Sequence, residues 1–218
     1  MIRLHCSNKL RPKLPTNAQG RLPGVNSGVI QGLEALNPIS GWHASLFLIK
    51  GRNCVICVHE ATRFVIYIPC VHKTDFAKLD GLFAEALLQA LTACQATEAH
   101  LETVKNLLQP LVMDGECKDA MLVCLNQAKA CIEQMLWDEN TPFEKLPFSK
   151  ASFLLAEMPF NLQAKKEVVW PKKLMLRLLD EASSCYQRAT SHRTQQANVT
   201  NTDTNVVSFA DFKKTRKP

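Results

Sequence analysis

Hydrophobic positions follow two regimes along this chain. Between residues 44 and 69 apolar side chains are nearly continuous in three short runs, "SLFLIK", "CVICVH" and "RFVIYI". Gly51-Arg52-Asn53 and Glu60-Ala61-Thr62 separate the runs, and Pro69 ends the last. Their β-branched and aromatic content, with such short turns, predicts a three-stranded antiparallel meander. Both faces of each run are apolar, so the sheet is expected to be covered on both sides. Upstream, Ile2, Leu4 and Cys6 alternate with Arg3 and His5, which predicts a short first strand. From Asn8 to Gly41, Pro, Gly, Asn and Ser dominate, and an irregular connection is expected, with a short helix near Gln31–Leu36.

After Thr74 the period becomes helical. Thr74 is a candidate N-cap and Asp75 suits the positive end of the helix dipole. Phe76, Leu79, Phe83, Ala86, Leu87 and Ala90 then form one stripe. Gly81 weakens this helix by roughly 1 kcal/mol relative to alanine, which suggests close packing there. A second helix is predicted from Thr97 through Leu101, Val104 and Leu108 to Pro110, and a third from about Lys118 to Trp137. Pro171, at a first helical position, opens the last one. "ENTPFEKLPF" reads as a loop. The fold class expected is α+β: a small antiparallel sheet, made of the N-terminal strand and the meander, packed by four to five helices. Residues 1–185 would form one domain.

Beyond Ser183 apolar content falls away, so 186–218 is expected to be a disordered basic tail. Its end differs: Val206, Val207, Phe209 and Phe212 precede Lys213, Lys214, Arg216 and Lys217. Residues 206–217 are therefore a candidate linear motif that orders on a partner.

Charge adds a location to this outline. The formal net charge is +6, but residues 1–40 and 183–218 carry +4 each, 41–110 carries 0 and 111–182 carries −2. Basic character lies at the ends, where it offers weak, salt-sensitive attraction to phosphates. No apolar run approaches the ~18 residues of a membrane span, and the N-terminus lacks the apolar core of an export signal. A cytoplasmic protein is expected, and its nine scattered cysteines are expected to be free and mostly buried.

Candidate chemistry is sparse. Cys54-x2-Cys57-x-His59 followed by Cys70-x-His72 has zinc-like residue types. Residues three apart in a strand face opposite ways, however, so no metal site is expected there. Cys117, Cys124 and Cys131 recur every seven residues and read as one helical core stripe. No nucleophile elbow, phosphate loop or dinucleotide fingerprint is present, so no catalytic residue and no cofactor is assigned. Trp42, His43, Thr62 and Arg63 are expected to meet at one end of the meander, rimmed by Glu60, as a ligand or partner patch. That pattern points to a non-catalytic binding or accessory protein with a protein or nucleic-acid partner. The alternative is a hydrolase acting on an anionic substrate through His43 and Arg63.

The order of "MIRLHCSNKL", "WHASLFLIKGRNCVICVHEATRF" and "TDFAKLDGLFAEAL" resembles an uncharacterised bacterial domain family. Its members carry a WHANL motif, an N-D-A/S-x-R-F/Y turn and a DF-x-x-L-D-x-L-F helix, and occur alone or joined to plasmid ORF-3-like domains. The resemblance covers roughly residues 1–182, most specifically 42–83. Trp42, His43, Thr62, Arg63, Phe64, Asp75, Phe76, Leu79, Asp80 and Asn126 match the pattern. Ser45 replaces the usual Asn, His59-Glu60 replaces Asn-Asp, and Lys118-Asp119-Ala120 replaces Asn-Arg-Ser. The resemblance implies an α+β fold and a mobile-element setting, and adds Asn126 to the candidate patch. It implies no mechanism.

Overall fold

The continuous apolar runs of 44–69 form the expected meander in a computed structural model that describes residues 1–24, 37–138, 148–162 and 167–200. Strands β2 (Trp42–Ile49), β3 (Arg52–His59) and β4 (Val65–Ile68) pair antiparallel, with Trp42 opposite His59 and Val58 opposite Val65. Strand β1 (Ile2–Cys6) pairs with β2, but in parallel, with Leu4 opposite Trp42 and His5 opposite His43. A strand absent from the sequence expectation, β5 (Leu111–Asp114), pairs in parallel with the other side of β1. The five-stranded order is therefore β4-β3-β2-β1-β5, and the sheet is mixed rather than wholly antiparallel. The long connection between β1 and β2 explains the difference. It carries the chain back to the end of the sheet from which β1 started, whereas the tight turns of the meander can only reverse direction.

Both faces are covered, by different helices. On the first, Ile2, Leu4, Trp42, Val55 and Ile66 pack against Leu79, Phe83 and Leu87 of α1 (Leu79–Ala93). Val104 of α2 (Glu98–Leu107) and Met175 and Leu179 of α5 (Pro171–Thr200) complete that cluster. On the second, Phe47, Ile49, Ile56, Val58 and Tyr67 pack under Leu125, Ala128 and Ile132 of α3 (Asp119–Asp138). Ala151 and Leu155 of α4 (Phe148–Glu157) close it. A small hairpin, β6 (Phe160–Leu162) with β7 (Glu167–Val169), precedes α5.

Local signals explain most boundaries. Thr97 caps α2 in a reciprocal capping box with His100, whose ring also reaches Asp180 of α5 at 2.8 Å. Thr74 makes no such cap. The chain enters α1 through a 3-10 turn over Asp75–Lys78, and the Asp75 carboxylate accepts from the His72 N–H instead. Asp80 accepts from the Leu111 N–H at 2.9 Å, which ties α1 to the start of β5. Gly81 meets nothing within 4 Å of a built Cβ, so the close packing expected there is absent. Gly20 is the tight position. With φ +73°, its carbonyl accepts from the Met113 N–H, and a Cβ would strike the Met113 carbonyl at 2.1 Å. This contact brings the 17–21 loop onto the outer edge of β5, where an open strand would invite mispairing.

The nine cysteines are free, and no helix among the described residues is long and apolar enough to cross a membrane. Helix α5 continues through residue 185 to Thr200, so the backbone is helical where the tail was expected to begin. The helix expected near Gln31–Leu36, most of the "ENTPFEKLPF" loop and the whole 206–217 motif (Phe209, Phe212, Lys213, Lys214, Arg216, Lys217) lie outside the described residues.

Candidate functional site

The second face of the sheet changes character across its width. Over β3, β4 and the Phe47–Ile49 end of β2 it is apolar and lies under α3 and α4, but the apolar cluster there includes no residue of β1 or β5. On that side the outward positions are Arg3, His5 and Ser7 of the β1 segment, His43 and Ser45 of β2, and Val112 and Asp114 of β5. The register puts Asp114, His5 and His43 side by side on three neighbouring strands. The parallel pairing of β1 with both neighbours is what aligns them.

These side chains form a bonded row. The His5 Nδ1–H donates to Asp114 Oδ1 at 2.8 Å. The His5 and His43 rings lie 4.7 Å apart, tilted by 31°. The His43 Nε2–H donates to Glu60 Oε2 at 3.2 Å, and its Nδ1 accepts from the Lys118 N–H at 3.4 Å. Lys118 Nζ bonds the other oxygen of Glu60. Burial lowers the His43 pKa below the ordinary histidine value, and the Glu60 bond only partly offsets it, so the ring is neutral at neutral pH. For Glu60, burial pushes the carboxyl up, but the bonds from Lys118 and His43 outweigh it and hold the group below its usual range.

One residue row further along the same face, Ser7 and Ser45 share a hydroxyl hydrogen bond of 2.8 Å. They line a cavity of about 300 Å³ together with Asn8, Lys9, Phe47, Cys117, Asp119 and Asn126. It lies where β1 ends and α3 begins. A second cavity of about 360 Å³, bordered by Arg3, Arg11, Asn17, Asp114 and Glu116, flanks Asp114. Burial, then the charges of Asp114 and Asp119, push the Cys117 thiol up to about 11, and burial pushes Cys6 up to about 12. Neither is a thiolate nucleophile at neutral pH.

The expected patch divides. His43 and Asn126 belong to this polar region; Trp42, Thr62 and Arg63 do not. Trp42 points to the opposite face, fully buried, its Nε1–H donating to the Ile39 carbonyl at 2.7 Å and its ring edge-on to Phe83. Thr62 is an internal link: its Oγ1 bonds His59 Nδ1 at 2.9 Å and accepts from the Phe64 N–H at 3.2 Å. His59 Nε2–H donates to the Ser40 carbonyl at 3.0 Å, so both ring nitrogens are satisfied in the neutral form. Burial drives the pKa of His59 down to about 4. Arg63 takes a left-handed backbone with φ +61° and closes its turn by donating from Nη1 to the Glu60 carbonyl, with Met121 Sδ beside it.

Cys54 and Cys57 face opposite sides of the sheet, each inside a different apolar cluster, as strand geometry requires. Among the described residues, the groups whose donor atoms converge are instead His5 with His43 and Glu60, and His5 with Asp114 and Glu116. His5 and Asp114 were missed as site residues because each is a lone polar residue in a short strand. The available sign was the two His-x-Ser triplets, His5-Cys6-Ser7 and His43-Ala44-Ser45, which share one spacing.

Comparison with known proteins gives one result. Residues 3–174 match a family model described as a domain of unknown function, DUF6933. No curated protein and no solved structure matches the chain.

Proposed function

We propose that this chain, which belongs to the DUF6933 family, is a binding domain that seats a small polar molecule in the cleft beside Ser7 and Ser45. One observation carries this: the polar interruption of an otherwise apolar, helix-covered sheet face opens into a cavity of about 300 Å³. That volume is at the lower end of ligand-binding pockets. Its chemistry suits an uncharged or zwitterionic ligand rather than a polyanion. Serine hydroxyls and the Asn8 and Asn126 amides offer donors and acceptors, Lys9 and Asp119 balance one charge each, and Phe47 and Leu122 supply an apolar wall.

The buried, internally bonded Trp42 and Thr62 and the turn-closing contact of Arg63 favour binding over the hydrolytic alternative through His43 and Arg63. Both nitrogens of His43 carry hydrogen bonds, and the bonded guanidinium nitrogen of Arg63 is spent on a backbone carbonyl and a thioether. A protein or nucleic-acid partner, if engaged, would meet the basic ends and is a separate proposal from the cleft. The cleft is tested by incubating the purified chain with a small-molecule extract and identifying what it retains, beside a Ser45→Leu variant that fills the cavity. Retention by the first and not the second supports the proposal; equal retention defeats it.

A further inference from the structure

We infer that His5, His43 and Glu60 form a binding centre for a single divalent transition-metal ion of the zinc class, with Asp114 as the residue that positions His5. This goes beyond ligand binding in the cleft and does not depend on it.

The argument begins with convergence. One ring nitrogen from each histidine and one Glu60 oxygen all lie within 4.8 Å of one another. Two of these donors, His43 Nε2 and Glu60 Oε2, are already 3.2 Å apart. Ligands held at about 2.0–2.2 Å around a tetrahedral ion are separated by roughly 3.3–3.6 Å. That edge is therefore close in length to a loaded one; loading would swing Glu60 Oε2 off the His43 Nε2–H line, where the ion would sit, and draw His5 inward.

Orientation is the second point. A ligating histidine ordinarily donates its other ring N–H to a carboxylate, which fixes the tautomer and raises the basicity of the ligating nitrogen. His5 already has this arrangement: Nδ1–H is on Asp114 Oδ1 at 2.8 Å, and among the described residues no hydrogen bond occupies Nε2. Asp114 is itself held by the Glu116 N–H at 2.9 Å.

The third point is rigidity and surroundings. His5 and His43 sit on adjacent paired strands at partnered positions, and both are buried. The Glu60 turn is fixed from two sides, by its N–H on the Gly41 carbonyl and by Arg63 on its own carbonyl. Lys118 takes Glu60 Oε1 and leaves Oε2 toward the histidines. Two imidazoles and one carboxylate are a recurrent donor set for zinc with an open fourth position.

Loading has a proton consequence. His43 now carries its proton on Nε2, toward Glu60, while Nδ1 accepts the long 3.4 Å bond from the Lys118 N–H. Coordination through Nε2 moves that proton to Nδ1, with no net release, and breaks the Lys118 bond. The Lys118 amide at the start of α3 thus reports on occupancy.

The test is titration of the full-length, reduced, metal-free chain with Co²⁺, then displacement by Zn²⁺, read by visible absorption and by the amide spectrum. The expected result is one ion per chain, a ligand-field band without thiolate charge transfer, and a shifted Lys118 amide. Glu60→Gln and His43→Gln should abolish stoichiometric binding, and Asp114→Asn should weaken it about 10–100-fold with an altered band. Glu116→Gln should leave it unchanged, because Glu116 belongs to the neighbouring group through His5. Circular dichroism confirms folding; Glu60, half-exposed in a turn, keeps the test valid should His43→Gln unfold. No stoichiometric binding overturns the inference. So does a thiolate band that persists in Glu60→Gln, which would place the ion on the cysteines, or loss of binding in Glu116→Gln alone.

Discussion

Trp42 and His43 are neighbours in the chain and lie on opposite faces of one sheet. The Trp42 ring stands edge-on to Phe83 in the α1-side core, whereas the His43 ring lies tilted beside His5 in the polar row. A strand alternates its side chains, so the pair could not form one patch. Trp42→Ala should cost about 3–5 kcal/mol, as large-to-small core changes do. His43→Ala removes no member of either apolar cluster and should cost less. Urea denaturation of the two variants checks the order, and an equal or reversed cost would remove this division of roles.

His59 gives the fold a pH dependence of defined sign. Its folded pKa, about 4, lies below the ordinary value of 6.5 because burial disfavours the charged ring. The unfolded chain therefore binds the extra proton first as pH falls. The stabilisation is fully present above about 6.5 and declines as pH drops toward 4, by on the order of 3 kcal/mol. Stability measured from pH 7 to pH 4 should fall more steeply in the wild type than in His59→Gln. Parallel profiles would place the acid sensitivity elsewhere.

Asp80 should act as a structural acceptor. Removing it in Asp80→Ala leaves the Leu111 N–H without its 2.9 Å partner, at a cost of about 1–3 kcal/mol. Hydrogen exchange at the Leu111 amide would speed up ahead of the rest of β5. Unchanged protection would show that the bond carries little.

The meander, α1, α2 and α3 were legible because each has a strong local pattern: long apolar runs with short turns, or a stripe ended by a cap or proline. Strand β5 was not. It has four residues, follows Pro110 directly, and is a strand only because β1 offers a free edge. Helix α4 was hidden behind a two-proline stretch, although Ala151 and Leu155 face the core. The polar row was invisible for a different reason. Asp114 is 109 residues from His5, and parallel pairing gives no local sign of which strands will meet. Of the expected patch, His43 and Asn126 border polar space, while Trp42, Thr62 and Arg63 serve the fold.

The measurement that bears most directly on the proposed binding cleft compares three proteins against one small-molecule extract: wild type, Ser45→Leu and Arg63→Ala, with retained compounds identified by mass spectrometry. The proposal predicts a compound held by wild type and by Arg63→Ala, the latter at reduced thermal stability, and lost from Ser45→Leu. A compound that survives Ser45→Leu but disappears in Arg63→Ala, or the absence of any retained compound, would contradict a ligand seat at Ser7 and Ser45.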